Sequence, residues 1–328
     1  MRVVFSVFEA VKSVPEGSVI DVCPGSQVGQ VIISKSLTLQ GLTINNGNEV
    51  NIVCCTQGAA TDTESQVLEL DLIPAIWVTA GTVNISNLEI DVESGPGSSS
   101  GCPQLPAGIF YASGTSGTVN HVIISVKAKN CGVGIAGENA TVDDSSIKIE
   151  NNYINTDNFG ILMGSLQPEG ILPVLSNTIT GNTTTSGTHG IFLLLSRGKV
   201  SGNNITITAD TQESYGILEA APATTITDNM ISVGLGTGVT IDGASATVTG
   251  NKINGWTGVD LGCTPETVTN NTIYAIVGLD HGLATFAGKN TFLSTMTFVN
   301  RICKDAEPHL EQAFSPLDIR DRNYGTKP

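Results

Sequence analysis

Several features that define other protein classes are missing from this sequence. Lys and Arg together number 15 against 30 Asp and Glu, and the formal net charge is −15. Phosphate binding needs clustered basic side chains, so this composition argues against a nucleic-acid partner. No apolar run reaches the roughly 18 residues of a transmembrane helix. No C-x-x-C pair occurs, which argues against a zinc site.

The cysteine count is odd, so at least one of the seven cysteines is unpaired within the chain. Cys54 or Cys55 could bond to Cys102 and link the long early loops in an oxidising compartment. Alternatively, several cysteines could be small core residues. The spacing does not choose between these two interpretations.

What the sequence does contain is a short phrase that recurs ten times. Each copy has an apolar residue three places before a fixed position and another two places after it. The fixed position is Leu42, Leu88, Val122, Asn152, Asn177, Asn203, Asn229, Asn251, Asn271 and Asn290. The spacing falls from 46 to 19 residues, and the final spacing is too short for a strand-helix-strand crossover. A repeat of this kind, with its insertions confined to loops, provides one structural unit for each coil and predicts a parallel β-solenoid.

From Asn152 onward, seven successive copies carry asparagine at the fixed position. An asparagine amide can both donate and accept hydrogen bonds. We therefore expect these side chains to stack in one column and to bond along the solenoid axis. A glycine before an apolar residue accompanies each later copy, at Gly160, Gly190, Gly216, Gly238, Gly258 and Gly282.

These repeats resemble the right-handed parallel β-helix proteins of the pectin-lyase-like superfamily, which carry G-I-x-apolar and N-x-I phrases. The resemblance covers roughly residues 16–292, and Pro15 to Gly25 is similar to the first coil of many such proteins. It implies an all-β fold, a single right-handed parallel β-helix of about ten or more coils. The superfamily includes lyases, hydrolases, epimerases and binding proteins, so it specifies architecture rather than activity.

The chain is expected to consist of an N-terminal helical cap, the β-helix and an irregular C-terminal cap, at residues 1–15, 16–292 and 293–328. The first of these is an amphipathic helix over Met1 to Val14, in which Phe5, Phe8 and Val11 would face the open end of the β-helix core. Long insertions in the early coils are expected to wall or cover one side. They are Cys55 to Val67, Ser94 to Pro106 and Ser165 to Pro173.

A first group of candidate catalytic residues is Asp157, His189 and Glu213. Both carboxylates lie three residues before a strand-opening glycine, two coils apart, with His189 in the coil between. That spacing predicts a separation of about 9 to 10 Å, at the upper edge of the range used by inverting glycosidases. Tyr215 and Glu219 are close enough in sequence to join a sugar-binding surface. Equally, polar residues before strands are ordinary turn chemistry.

A partial resemblance to polygalacturonase-type hydrolases adds two residues. Asn155-Thr156-Asp157, Thr188-His189-Gly190 and Arg197-Gly198-Lys199 follow the order of that family's motifs. The family's middle aspartate pair is missing, so the acid and base are not both supplied. Arg197 and Lys199 are also the compact candidates for the base of a lyase.

Three further patterns have both a functional and a structural interpretation. Phe192 stands between Leu162 and Leu218 on an outward apolar strip that could stack a sugar, contact another protomer or be covered by a loop. The row Glu89, Asp91 and Glu93 could bind calcium, although alignment with Lys127 favours cross-strand charge pairing. The outward column Thr178, Asn204, Met230, Lys252 and Thr272 is too irregular for an ice-binding threonine lattice.

Two functions follow as hypotheses. One is an extracellular β-helix protein that binds a polysaccharide or acts on it, by glycoside hydrolysis with a carboxylate pair or as a polysaccharide lyase. The other is a non-catalytic repeat scaffold for surface binding, adhesion or assembly. Residues 20–290 contain 8 Lys and Arg against 23 Asp and Glu, so a neutral glycan fits better than an anionic one. We expect no cofactor beyond weakly indicated calcium, and an extracellular or cell-surface location with any leader outside this chain.

Overall fold

A computed structural model describes residues 6–42, 50–54, 68, 70–93, 104–128, 131–139, 145–165, 175–220, 224–242, 245–262, 266–281 and 286–300. In this part of the chain, one short helix precedes strands that pair in parallel with the strands one coil away. The strands form three stacks around a common interior, with one strand of each stack per coil. The fold is therefore the single right-handed parallel β-helix that the repeats predicted.

The first stack is the 11-stranded sheet. Its strands are β1 (Ser18–Val22), β4 (Leu37–Gly41), β7 (Thr82–Ser86), β10 (Ser116–Asn120), β13 (Ser145–Glu150), β16 (Leu175–Thr180), β19 (Arg197–Ser201), β22 (Thr225–Thr227), β25 (Thr247–Thr249), β27 (Thr267–Thr269) and β29 (Phe286–Gly288). The second stack begins with β2 (Gly25–Val28), β5 (Val50–Cys54), β8 (Glu89–Glu93), β11 (Ile123–Lys127), β14 (Tyr153–Thr156), β17 (Thr183–Ser186), β20 (Asn204–Ile207) and β23 (Met230–Val233).

The third stack begins with β3 (Val31–Ile33), β6 (Leu72–Val78), β9 (Leu105–Tyr111), β12 (Val133–Asn139), β15 (Phe159–Ser165), β18 (His189–Leu194), β21 (Tyr215–Ala220) and β24 (Thr237–Ile241). In the last three coils one long strand serves both the second and the third stack, because it pairs with β23 and β24 together. These strands are β26 (Lys252–Leu261), β28 (Thr272–His281) and β30 (Thr291–Asn300).

Each stack contributes an inward row of apolar side chains to one core. The rows include Val119 on β10, Ile124 on β11 and Ile135 on β12, all fully buried. Burial of each such side chain contributes about 1.5 to 3 kcal/mol. The strand-opening glycines let the third stack approach closely: a Cβ on Gly216 would overlap Ile231 Cγ2 and lie 2.5 Å from Gly238 O.

A column of asparagines occupies the turn between the first and second stacks. Its members are Asn152, Asn182, Asn203, Asn229, Asn251, Asn271 and Asn290. Each Nδ2 donates to the Oδ1 of the next asparagine, at 2.9 to 3.0 Å. Leu88 and Val122 precede the column, and the Val122 backbone N donates to Asn152 Oδ1. Leu42, by contrast, is largely exposed.

The prediction of Asn177 for this column is wrong, because Asn182 occupies the place. Asn177 lies on β16, where it is in register with Ile147 and Gly198. The position before the column needs a left-handed backbone, which glycine, asparagine and aspartate tolerate best. Its φ lies between 54° and 71° at Asn87, His121, Asn151, Gly181, Gly202, Asp228, Gly250, Asn270 and Lys289. Ser176, before Asn177, is a strand residue instead.

The helix at the N-terminal end and the last strand do not end at the predicted boundaries. Helix α1 (Val7–Ser13) begins after the N-cap Ser6 and buries Val7, Ala10 and Val11 against the core, whereas Phe8 is half-buried. Phe5 lies outside the described residues. Strand β30 continues to Asn300, beyond the predicted boundary at residue 292. Residues 301–328 and most of the three predicted insertions lie outside the described residues.

Three of the seven cysteines lie in the described part of the chain. Cys54 and Cys131 each take part in a disulfide bond, and both are buried. Cys23 is an exposed free thiol. The other four cysteines lie outside the described residues. Cys54 therefore forms a disulfide bond, as predicted, whereas its predicted partner Cys102 lies outside the described residues.

Candidate functional site

Asp157 follows β14, and its carboxylate closes a neighbouring turn. One oxygen accepts a hydrogen bond from Ala128 N at 2.8 Å, and the other accepts one from Gly132 N at 3.1 Å. The turn contains Cys131, which is held by its disulfide bond. Both oxygens therefore have a structural task that is independent of any substrate.

Replacing Asp157 by asparagine is expected to lower the free energy of unfolding by about 1 to 2 kcal/mol. The amide oxygen of asparagine can still accept one of the two backbone hydrogen bonds, but its NH₂ group cannot accept the other. Chemical denaturation of wild type and Asp157→Asn measures the difference, with Glu213→Gln as the matched control. Equal losses in the two variants would contradict the assigned role of Asp157.

His189 lies on the third stack within a group of stacked aromatic rings, which we name the ring pile. Its ring centroid is 4.6 Å from that of Phe159 in the preceding coil and 5.4 Å from that of Tyr215 in the next. Phe192 completes the cluster, with its centroid 6.1 Å from His189. Only 7% of His189 is exposed. The pile stabilises three successive coils through ring stacking.

The hydrogen bonds of His189 fix its tautomer. The Thr188 hydroxyl donates to Asn158 Oδ1 and lies 2.8 Å from His189 Nδ1. Because a hydroxyl has one proton to give, the tautomer with the proton on Nδ1 satisfies both contacts of Thr188. Burial lowers the pKa of His189 to about 3. A group with this pKa is neutral near pH 7 and is a much weaker base than a free imidazole, whereas general acid or base catalysis works best with a pKa near the operating pH.

The other predicted site residues do not converge on His189. Glu213 is exposed in the loop before β21, and Tyr215 is half-buried beside His189. Glu219 is fully buried, in register with the core residues Leu193 and Ile241. It therefore faces the interior rather than a sugar-binding surface.

Arg197 and Lys199 belong to β19 of the first stack, whereas His189 and Tyr215 belong to the third. Lys199 is exposed there. The predicted apolar strip is covered, because Leu162, Phe192 and Leu218 are 1%, 1% and 3% exposed. Phe192 is therefore closed to a ligand in this structure.

Two side chains of the acidic row of β8 lie beside polar residues of the adjacent strands. Lys127 is in register with Glu93, and Asn51 Nδ2 donates to Asp91 Oδ2 at 2.8 Å. Burial, and then the charge of Asp91, raise the pKa of Glu89. Among the described residues, no three His, Cys, Asp or Glu side chains are grouped as a metal site.

The outer side of the second stack presents a broad exposed surface with little charge. Two neighbouring rows of six residues run along the axis, and together they form what we name the uncharged face. The first row is Tyr153, Thr183, Asn204, Met230, Lys252 and Thr272, and the second is Asn155, Thr185, Thr206, Ser232, Asn254 and Tyr274. Lys252 carries the face's single charge. Thr178, predicted for the first row, lies on β16 of the first stack instead.

Aromatic side chains mark both ends of the uncharged face. Tyr153 is 49% exposed at one end, and Tyr274 and Trp256 are each 39% exposed at the other. The Lys252 ammonium lies 5.9 Å from the centroid of the Tyr274 ring, which orients that ring by a cation–π contact. The sequence analysis placed Asn204, Met230, Lys252 and Thr272 in one outward row, as the structure does. It tested that row only as an ice-binding lattice and did not recognise the second row beside it.

Stacked parallel strands, three to a coil, with an asparagine column at one turn, define a right-handed parallel β-helix protein. A family model described as periplasmic copper-binding protein (NosD) matches residues 106–275. Because the match spans more than half of the chain, the protein belongs to the NosD family. No curated protein matches the chain significantly.

Solved structures share the fold at low sequence identity. The chain is similar to the A-module of mannuronan C-5 epimerase AlgE4 from Azotobacter vinelandii, with 12% identity, a TM-score of 0.50 and coverage of 90% of this chain and 91% of that one. The AlgE6 A-module from the same organism gives 11%, 0.45, 90% and 94%. PfbA, a surface adhesin of Streptococcus pneumoniae, gives 10%, 0.36, 91% and 90%. At these identities the likeness concerns the fold alone.

Copper is named in the family's description, but among the described residues no three His, Cys, Asp or Glu side chains are grouped to hold a metal ion. His189 is buried in the ring pile, and its Nδ1 is engaged by Thr188. Cys54 and Cys131 are in disulfide bonds, which removes their thiolates as copper ligands.

No helix in the described part of the chain has the length and apolar character needed to cross a bilayer.

Proposed function

We propose that the protein binds an extended, uncharged polysaccharide along the uncharged face. The observation that carries this proposal is the pair of exposed rows, which extend over six coils with one charged side chain. Their hydroxyl and amide groups both donate and accept hydrogen bonds, as the hydroxyl groups of a sugar require. Tyr153, Trp256 and Tyr274 add flat apolar area against which sugar rings can pack.

The charge of the protein selects among polymers. The net charge of −15 repels a polyanion at long range, and Lys252 alone cannot compensate for it. A neutral polymer avoids this repulsion and lets the hydroxyl and amide groups set the affinity. Association with such a ligand is therefore expected to depend little on ionic strength.

Binding rather than hydrolysis is proposed because two of the three predicted acid/base groups, Asp157 and His189, have structural contacts of their own, and Glu213 does not converge on them. Asp157 holds Ala128 and Gly132, and His189 is buried and neutral near pH 7. Hydrolysis by Asp157 and Glu213 stays a prediction, and release of reducing ends from neutral glycans by wild type would support it.

A location outside the cytoplasm is part of the proposal. Cys54 and Cys131 are disulfide-bonded, and such bonds persist in oxidising compartments. A polysaccharide ligand would also be found there. Chemical labelling of free thiols, before and after reduction, in protein isolated from its native host tests whether these bonds are present.

The rigid spacing of coils predicts how affinity depends on ligand length. Coils repeat at about 4.8 Å, so the five steps from Tyr153 to Thr272 span about 24 Å. An oligosaccharide should therefore gain affinity with each added sugar until it spans the face, and then stop gaining. Calorimetric titration with neutral oligosaccharides of two to eight sugars measures this dependence.

Adding charge to the middle of the uncharged face is expected to weaken binding at least tenfold. Thr206 and Ser232 are adjacent in register, so Thr206→Glu/Ser232→Glu places two carboxylates in the ligand's path. The matched control is Thr227→Glu/Thr249→Glu, an adjacent outward pair on the first stack. Affinity electrophoresis in neutral polysaccharides compares them with wild type. Equal losses in both double variants, or no retardation of wild type in any neutral polymer, would overturn the proposal.

A further inference from the structure

The described chain ends in a coil whose interior positions are only partly covered. Phe292 is in register with Ile273, which is in register with Ile253 of the coil before. Both isoleucines are fully buried, whereas Phe292 is half-buried against the same core. Asn290, the last member of the asparagine column, is likewise half-buried, although Asn271 beside it is buried. Within the part of the chain that the structure describes, no layer covers the last coil as each coil covers the one before it.

The final strand, β30, presents an exposed edge at this end of the molecule. It pairs with β28 along one side, and no strand among the described residues pairs with its other side. Its ten residues, Thr291–Asn300, include no charged residue, proline or glycine. Leu293 and Met296 on this strand are 57% and 47% exposed. A long, uncharged edge with exposed apolar side chains pairs readily with another chain unless a segment of the protein covers it.

At the opposite end of the β-helix, helix α1 provides such a cover. Val7, Ala10 and Val11, at positions i, i+3 and i+4 of the helix, are buried and belong to the core cluster. This spacing places three side chains on one face of a helix, and the helix contacts β1 and β3 of the first coil. A short helix with one apolar face therefore closes the N-terminal end of the core.

The sequence that follows β30 repeats the apolar pattern of α1. Residues 301–328 lie outside the described residues. Three of them have the i, i+3 and i+4 spacing of the buried residues of α1, again with alanine in the middle, and they are Leu310, Ala313 and Phe314. Asp305 precedes them as a suitable N-cap, and Pro316 follows them, where a helix ends. The sequence thus predicts a second short amphipathic helix.

The chain beyond β30 starts at the edge that needs a cover and is long enough to reach across it. Arg301 directly follows β30, and nine residues separate Asn300 from Leu310. Nine extended residues span up to about 30 Å, which is close to the length of the ten-residue strand β30 itself. The apolar residues of the segment can therefore return across the end of the last coil.

Charge favours this segment over a second copy of the protein as the cover. Residues 301–328 contain five Lys and Arg and five Asp and Glu, so their formal charges cancel. A second copy would bring a net charge of −15 to a chain with the same charge, which opposes close approach. The segment is also present at a high effective concentration, because it is tethered to the end that it would cover.

We propose that residues 306–314 form a helix that covers the C-terminal end of the β-helix core. Its apolar face packs against Phe292 and the edge of β30. The helix closes the last coil as α1 closes the first, and it prevents β30 from pairing with a second chain. The inference is independent of polysaccharide binding, because no residue of the uncharged face takes part.

Hydrogen–deuterium exchange measured by mass spectrometry tests the proposal on the full chain. In wild type, the amides of residues 310–314 are expected to exchange at least tenfold more slowly than those of an unstructured peptide of the same sequence. Leu310→Asp/Phe314→Asp removes the apolar face and should speed exchange in β30 at least tenfold, while exchange in β18 stays unchanged. The matched control is Gln312→Asp/Ser315→Asp, which adds the same charge to the opposite face of the helix and should leave β30 protected.

Analytical ultracentrifugation of the same proteins provides the second readout. Wild type and the control are expected to be monomers, whereas Leu310→Asp/Phe314→Asp should associate through its exposed edge. Peptide-like exchange of residues 310–314 in wild type would overturn the proposal, as would equal exchange of β30 in the two double variants. A wild-type dimer with β30 protected and residues 310–314 unprotected would identify a second copy as the cover instead. The wild-type measurement needs no variant, so the test does not depend on whether the double variants fold.

Discussion

Asn229→Leu is expected to lower the free energy of unfolding by about 3 kcal/mol or more, the largest effect of any single replacement considered. Its Nδ2 donates to Val200 O at 3.0 Å and to Asn251 Oδ1 at 2.9 Å. Its Oδ1 accepts from the backbone N and the Nδ2 of Asn203, at 3.0 and 2.9 Å. Leucine fills a similar volume but leaves these buried partners unsatisfied, at about 1 to 3 kcal/mol for each group that finds no water.

Equilibrium denaturation in guanidinium chloride measures the loss, and Asn177→Leu supplies the matched control. Asn177 is buried like Asn229, yet its side chain makes no hydrogen bond to the residues that the structure describes. The same substitution at position 177 should therefore change the free energy of unfolding by less than about 1 kcal/mol. A loss at position 177 as large as that at 229 would show that burial, not the asparagine column, explains the cost.

The wrong assignment of Asn177 to the asparagine column shows what the repeat pattern could and could not determine. Counting apolar positions around an asparagine was enough to predict the solenoid, because both Asn177 and Asn182 have apolar residues nearby. The left-handed residue before the column was the missing criterion. Gly181-Asn182 matches Gly202-Asn203 and Gly250-Asn251, whereas Ser176-Asn177 does not. With that criterion the sequence alone would have placed Asn182 correctly.

The candidate site was less predictable, because direction and exposure are different properties. Strand alternation correctly directs Leu162, Phe192 and Leu218 outward, but they are covered. A pattern of period two gives the side of a sheet on which a residue lies. It does not report which chain segments later pack over that side.

Glu219 illustrates a conflict between two sequence rules. Alternation from the inward Ile217 places Glu219 inward, whereas its charge argues for the surface. Alternation prevailed, because turning one residue outward would also turn Leu218 and break the third stack's register. For a buried charged residue of this kind, the charge of the side chain therefore predicts the wrong side of the sheet.

The free energy of unfolding is expected to fall by about 2 kcal/mol more in wild type than in His189→Phe between pH 7.5 and pH 5. Unfolded histidine has a pKa of about 6.5, whereas burial lowers the pKa of folded His189 to about 3. Between those values the unfolded chain binds a proton that the folded chain refuses. Stability is thus fully present above pH 6.5 and is lost as the pH falls toward 3.

Phenylalanine is the suitable replacement because residues in register on both sides are aromatic, Phe159 and Tyr215. It keeps the ring pile and removes the titrating group, so all other carboxylates and histidines cancel in the comparison. Denaturation curves at the two pH values give the difference directly. Parallel pH dependences in the two proteins, or an imidazole signal of His189 that titrates near pH 6.5, would contradict the prediction.

The same measurement bears on function, because a general acid or base must change protonation near its working pH. If His189 remains neutral down to pH 4, it is a much weaker base than a free imidazole and is poorly suited to exchange a proton in each turnover at neutral pH. Its role is then to fix three coils of the third stack through Phe159, Phe192 and Tyr215. That outcome would remove His189 from the candidate acid/base groups and would agree with the proposal that the protein binds its ligand on the uncharged face.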